Sequence, residues 1–300
     1  MPTNPALSAV LDTLDAERPV LIAGATASGK SALAMAIADS QGGVIVNADA
    51  LQVFADWRVL TARPSPQDEA AQPHALYGHV PGEHAYSVGE WLRSVVPLLD
   101  GPRPIIVGGT GLYFRALTEG LAEIPQTPPQ IRAAGDAFLA RDGLAAMVAT
   151  LDPVTRGRLD PANPRRVQRA WEVFQTTGRG IADWQDNTPP PVLPLTSAQP
   201  LLVDAPKDWL NDRIARRMHQ MIATGALDEA RANHAAWRPD LPSAKAIGAP
   251  ELMAYLDGTL TLQTATDRAI VQTQQYAKRQ RTWFRARMAQ WRRVDARDLA

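Results

Sequence analysis

Residues 19–34 read PVLIAGATASGKSALA. The run PVLIAG is short, apolar and ends in glycine, which is the pattern of a buried strand. The following SALAMAIADS spaces its apolar residues as a helix does. Between them, Gly24 to Ser31 fits G-x-x-x-x-G-K-[ST] at every defined position. Strand, glycine-rich loop and helix in that order require an α/β layer structure with a phosphate nest at the end of a strand. Gly24, Ala25, Thr26, Ala27, Ser28 and Gly29 let backbone N–H groups curl around phosphate oxygens. The helix N-terminus adds partial positive charge, Lys30 a full one, and the Ser31 hydroxyl can reach a magnesium ion.

Other segments extend the same architecture. GGVIVNAD (42–49), RPIIVGGTG (103–111) and LLVDAP (201–206) read as further buried strands, and SVGEWLRSVVPLLDG (87–101) and NDRIARRMHQMIATG (211–225) as helices. Alternation of this kind implies a parallel sheet covered on both faces. Residues 130–180 show helical patterning and no strand, and PPPVLP (189–194) reads as a linker. The expected organisation is an α/β core from residues 1–118 and 200–300, interrupted by a helical insertion over residues 119–199.

A phosphate loop does not name its ligand. Phosphoanhydride-cleaving enzymes place an acid at the end of a neighbouring strand to hold Mg²⁺. The IIVGGTG strand ends in glycines and Thr110; the second strand ends in Asp49 instead. This pattern fits binding of a diphosphate without hydrolysis. Charge gives a further clue. The 31 basic and 31 acidic residues cancel, yet KRQRTWFRARMAQWRR, from Lys278 to Arg293, has seven basic residues and no acid. Arg165, Arg166 and Arg169 form a second cluster, and Arg213, Arg216 and Arg217 a third. Local patches, not the net charge, are what a polyanion meets.

The chain lacks cysteine, so disulfides, thiolate zinc sites and thiol nucleophiles are excluded. Its five histidines, His74, His79, His84, His219 and His234, show no metal-ligand spacing. The N-terminal MPTNPALSAVLDTLDAERP has no basic start before an apolar run, and no stretch approaches the roughly 20 apolar residues of a membrane helix. A cytoplasmic protein is the expectation, and nothing demands more than a monomer.

Taken together, GATASGKS, VNADALQVF, IIVGGTGLYFRAL, ANPRRVQRAWEVF, ARRMHQMI and KRQRTWFR resemble the bacterial tRNA dimethylallyltransferases, in order and in spacing. The resemblance runs from about residue 20 to residue 294. It implies transfer of a dimethylallyl group from its diphosphate to N6 of the adenine on the 3′ side of the tRNA anticodon, with Mg²⁺ and release of pyrophosphate. By the same resemblance Asp49 is the general base, Arg217 binds the pyrophosphate, and Thr110 bonds its bridging oxygen. Asp49, Ala50, Leu51 and Gln52, with Thr110, would line the nucleotide entrance; Ala50 stands where the family usually has serine. Further tRNA contacts are implied for Arg132 and for Arg165, Arg166, Val167, Gln168 and Arg169. Lys245, Ala246, Ile247, Gly248, Ala249 and Pro250 align with another contacting stretch, where Ala249 and Pro250 replace a more usual aromatic and basic pair. The last stretch is Lys278, Arg279, Gln280, Arg281, Thr282, Trp283, Phe284 and Arg285, in which Trp283 either stacks on a loop base or packs in the core.

Three other readings compete. An adenylate isopentenyltransferase would share the core but would not need the insertion or the arginine clusters. A P-loop kinase would release ADP. An RNA-binding P-loop protein without transfer chemistry would give Asp49 and Thr110 no catalytic purpose.

Overall fold

The computed structural model describes residues 5–299. Contacts divide the chain into two compact units: one runs to Thr118 and resumes at Leu193, and the other is Glu119–Val192. The first unit therefore resumes a few residues before the expected residue 200. Leu193 and Ala198 are buried in its core, and the Leu193 N–H donates to the Leu117 carbonyl at 3.1 Å.

The first unit is built on six parallel strands: β1 Val20–Gly24, β2 Val44–Asn47, β3 His74–Ala75, β4 Pro104–Gly108, β5 Gln199–Asp204 and β6 Arg292–Asp295. Their order across the sheet is β3-β2-β4-β1-β5-β6. Every residue of β1 and β4 is buried, which is why both read as unbroken apolar runs rather than alternating ones. One face packs on Leu33 and Ile37 of helix Lys30–Gln41, and the other on Trp91, Phe114 and Leu117. Each such side chain contributes about 1.5–3 kcal/mol when fully buried. The sequence pattern shows neither β3 nor β6. β3 has only two residues, and in β6 only Val294 is buried, so the edge strand hides inside the arginine-rich tract. Charged residues on such an edge also discourage pairing with another sheet.

Because all strands are parallel, β1, β2 and β4 end on the same edge of the sheet, where α/β folds place their ligands. The order puts the turn after β4 between the loop after β1 and the turn after β2.

The second unit is helical, with helices Pro129–Ala149, Pro153–Arg158, Pro164–Thr177 and Ile181–Asp186. Gly143, at φ 79°, breaks the first into two segments. Met147, Leu151, Val167 and Ala170 form its small core. Asp152 and Asn163 cap the second and third helices by accepting from the Thr155 and Arg166 N–H groups. No helix among the described residues is long and apolar enough to cross a membrane.

Candidate active site

The loop after β1 is held in a shape that only its own sequence explains. Ala27 and Gly29 have φ values of 62° and 91°, and Gly29 leads directly into the first turn of helix Lys30–Gln41. Of the loop amides, the Thr26 N–H donates to Gln280 Oε1 and the Ser28 N–H to the Ala25 carbonyl, which leaves Ala27, Gly29 and the helix start to form an anion nest. Ser28 is buried beneath the loop, while Ser31 faces outward from the helix start. The Arg213 guanidinium donates from Nε to the Ala27 carbonyl at 3.1 Å and stacks over Trp209 at 4.6 Å, so the loop is braced from helix Lys207–Met221.

A pocket opens at this loop. Its polar side is Thr26, Lys30, Ser31, Asp49 and Arg217. Its apolar side is Leu51, Leu60, Ile214, Met218, Met221 and Ile247, with Tyr276 closing the end. An adjoining cleft shares Lys30, Ser31 and Arg217 and adds Arg213, Arg216 and Gln220, giving the pocket a cationic mouth. Burial pulls the Lys30 ammonium from 10.5 down to about 8; the Asp49 carboxylate opposes the shift and Arg217 adds to it. Burial likewise lowers Arg217, against the pull of Asp49. Tyr276 is pushed up by burial and by Asp49.

Asp49 is oriented on both sides. Its N–H donates to Asn47 Oδ1 at 2.8 Å, and its Oδ1 accepts from the Leu51 N–H at 3.0 Å. Asn47 is fixed in turn by donating to the carbonyls of Asp49 and Leu76, both at 3.0 Å. Asp49 thus closes an Asx turn and caps no helix, and the carboxylate keeps lone pairs for a ligand. Thr110 lies beside this turn: Thr110 Oγ1 accepts from the Ala50 N–H at 2.9 Å, and its hydroxyl also bonds Tyr276, a lining residue of the pocket. The alanine at position 50 is accommodated through its backbone.

The glycines of GGTG make close approaches possible. A Cβ on Gly108 would collide with the Ala48 backbone, and one on Gly111 with the Trp283 ring. Trp283 is half-buried, packs against the core cluster that includes Ile106 of β4 and lies edge-on to Phe284 at 5.8 Å.

Of the loop residues, Thr26, Ala27, Lys30 and Ser31 reach the pocket; Gly29 lines the adjoining cleft; Gly24, Ala25 and Ser28 lie beneath. Gln52 lines the pocket and donates to the Thr61 and Ala62 carbonyls at 2.8 and 2.9 Å, holding the facing wall.

Several positions expected to face tRNA have side chains that cannot. Val167, Ala246, Ala249, Gln280 and Phe284 are buried. Ala249 starts helix Ala249–Leu256 with Pro250 in its first turn, which is the physical use of that pair here. Gly248, at φ 98°, packs on Leu60, and Ile247 enters the pocket wall. Lys245, Pro250, Lys278, Arg279, Thr282 and Arg285 are exposed, and Arg281 is half-buried. In the helical unit, Arg165 and Arg166 are exposed and make no ion pair among the described residues. Gln168 donates to Asp136 at 2.7 Å. Arg132 and Arg169 instead pair with the buried Glu172 at 3.8 and 4.0 Å. Among the described residues no group of three or more His, Asp or Glu is disposed to hold a metal.

The pocket residues not anticipated from sequence include Leu60, Ile214, Met218, Met221 and Tyr276, whereas Leu51 and Ile247 of the same wall are anticipated. Ile214, Met218 and Met221 follow helical spacing, the ordinary signature of core packing, so nothing in the pattern separates a ligand wall from a core face.

Comparison with known proteins places these features in company. The family model described as IPP transferase matches residues 52–287, and one described as isopentenyl transferase matches residues 18–73. A tRNA dimethylallyltransferase of Dinoroseobacter shibae is 63% identical over 94% of this chain and 96% of its own length. The crystal structure of a tRNA isopentenylpyrophosphate transferase from Bacillus halodurans aligns with a TM-score of 0.64 at 31% identity, covering 93% of this chain and 90% of that one. A eukaryotic dimethylallyltransferase acting on tRNA shares the fold, with a TM-score of 0.79 at 23% identity over 93% of this chain and 74% of that one.

Proposed function

The chain belongs to the IPP transferase family, and we propose on that footing that it transfers a dimethylallyl group from dimethylallyl diphosphate to N6 of the adenine on the 3′ side of the tRNA anticodon. The observation that carries this reading is the make-up of one pocket: a cationic phosphate floor, an apolar wall and a single oriented carboxylate.

The roles follow from the chemistry. The diphosphate lies on the loop amides with Lys30 and Arg217, and its charge rises as the allylic C–O bond breaks; fixed donors aimed at that charge stabilise the transition state. The five-carbon chain lies against Leu60, Ile214, Met218 and Met221. The adenine amine attacks the allylic carbon, a C–N bond forms, pyrophosphate leaves, and Asp49 takes the amine proton. A base placed this way is worth about 10²–10⁴-fold. Thr110 steadies the Ala50 end of the Asp49 turn and offers its hydroxyl proton to the bridging oxygen.

Magnesium fits as the counter-ion of the diphosphate. The helix start offers the outward Ser31 hydroxyl, and among the described residues there is no cluster of carboxylates, which suits an ion that keeps most of its water. Bound there, it would neutralise charge on the leaving group. Arg165, Arg166, Lys278, Arg279 and Arg285 grip tRNA phosphates. Every group named lies on one chain, so a monomer suffices, acting in the cytoplasm where its substrate is. The end of β4 and the turn after it offer Gly108 and Gly109 where a kinase would place its acid, which favours transfer over phosphoryl chemistry.

Incubation with Mg²⁺, radiolabelled dimethylallyl diphosphate and unmodified tRNA, with AMP as a parallel acceptor, tests the reading. Label in tRNA at the adenine beside the anticodon is expected. Label in AMP alone would shift the assignment to a free-nucleotide enzyme, and label in neither would refute prenyl transfer.

A further inference from the structure

Gln280 falls in the middle of the arginine-rich helix, flanked by exposed Arg279 and half-buried Arg281, yet it is only 6% exposed. Both ends of its amide are used inside the protein. Gln280 Oε1 accepts from the Thr26 N–H of the phosphate loop at 2.9 Å, and Gln280 Nε2 donates to the Gly109 carbonyl at 3.0 Å. A Cβ on Gly109 would collide with Gln280 Nε2 and would lie 3.1 Å from Asp49 Oδ2, so amide and carboxylate flank the same backbone atom. Tyr276, one turn earlier on the same helix, interacts with both Gln280 and Thr110.

We propose that Gln280 is a positioning residue that ties the phosphate loop to the Gly109–Thr110 turn and thereby sets the distance between the diphosphate and Asp49. This rests on the transferase reading above. The neighbours dictate the chemistry of the strut. Thr26 presents a donor and Gly109 an acceptor, so one acceptor and one donor must stand side by side on one planar group. An amide satisfies both, and so does a protonated carboxylic acid. An ionised carboxylate satisfies Thr26 but sets a lone pair against the Gly109 carbonyl. A side chain serving only to fill space would not distinguish these states. One serving to contact RNA would change tRNA affinity instead.

The test uses Gln280→Glu and Gln280→Met in the full chain, with kcat and both KM values measured from acid to mildly alkaline pH beside wild type, and melting temperatures taken at each pH. Asp49, Lys30 and Tyr276, the titratable groups around the strut, are common to all three proteins, so the ratio of variant to wild-type kcat isolates position 280. For Gln280→Glu the ratio should approach one at the acid end and fall by about tenfold per pH unit once the carboxyl ionises, at a pH raised by burial. Gln280→Met, of similar volume and without polar atoms, should lose ~10²-fold in kcat at every pH, as expected of a small misplacement of reacting groups. KM for tRNA should stay unchanged in both. A flat Gln280→Glu ratio with an active wild type, or a raised KM for tRNA at unchanged kcat, would overturn the assignment alone. A wild type that leaves tRNA unlabelled would overturn it together with the transferase reading.

Discussion

In the sheet unit, Lys30 and Arg217 face a pocket and are held down from their ordinary pKa by burial, with Asp49 as the charge that opposes the shift. In the helical unit, Arg165 and Arg166 stand exposed on the first turn of helix Pro164–Thr177. Two cations at a helix N-terminus oppose the helix dipole, so they do nothing for the stability of that helix. Among the described residues they also lack acidic partners of the kind that Arg132 and Arg169 find in Glu172. In the proposed function, charge that works on a reacting bond is desolvated and oriented, while charge that grips a polyanion is left solvated. The two should therefore answer to different perturbations: the first to pH and substitution at single atoms, the second to salt.

Asp49→Asn is the sharpest way to break the contrast. It keeps the Asx turn with Leu51 but removes the proton acceptor, so kcat should fall by about 10²–10⁴-fold with KM for tRNA unchanged. Equal loss of turnover and tRNA affinity would mean that Asp49 holds the RNA instead of accepting its proton. The double substitution Arg165→Ala and Arg166→Ala should do the reverse. With kcat at saturating tRNA retained, the slope of log K against log salt should shrink by roughly 1.4–1.8, at about 0.7–0.9 per lost phosphate contact. An unchanged slope would remove these arginines from the RNA surface.

How far the site could be read from sequence follows the same division. The phosphate loop was legible because its function fixes backbone geometry, and geometry of that kind demands glycine and lysine at set intervals. Asp49 was legible as an acid ending a buried strand. The helical part of the apolar wall was not, because Met218 and Met221 obey the same helical spacing whether they face a core or a ligand. Nor was Gln280: a glutamine amid arginines reads as surface, and only the fold reveals that the helix face carrying Ala277, Gln280 and Phe284 turns inward. Ala249 and Pro250 show the opposite error. Judged as departures from an RNA-contacting pattern, they are explained by a helix start and a buried methyl. Strands β3 and β6 leave no pattern in the sequence, since one is two residues long and the other buries a single valine.

Lys30 gives the smallest effect and the one most specific to burial. In the free protein its ammonium loses its proton near pH 8, where a free lysine would hold it to 10.5. Dimethylallyl diphosphate is already fully ionised there, the second phosphate pKa being near ~6. Affinity for the diphosphate should therefore fall as pH rises above 8, raising its KM by up to about tenfold per unit, because the ligand prefers the charged form. Stability should move the other way. Between pH 8 and 10.0, where unfolded tyrosines begin to ionise, the unfolded chain binds more protons at this lysine than the folded one, so the unliganded protein gains stability as pH rises. Lys30→Arg keeps a charged group throughout and should flatten both slopes, whatever its absolute KM. Opposite slopes in wild type and none in the variant would place the titrating charge at the floor of the pocket. A KM slope that survives the substitution would place it elsewhere, and salt should leave that slope nearly untouched while it erodes the arginine effect in the helical unit.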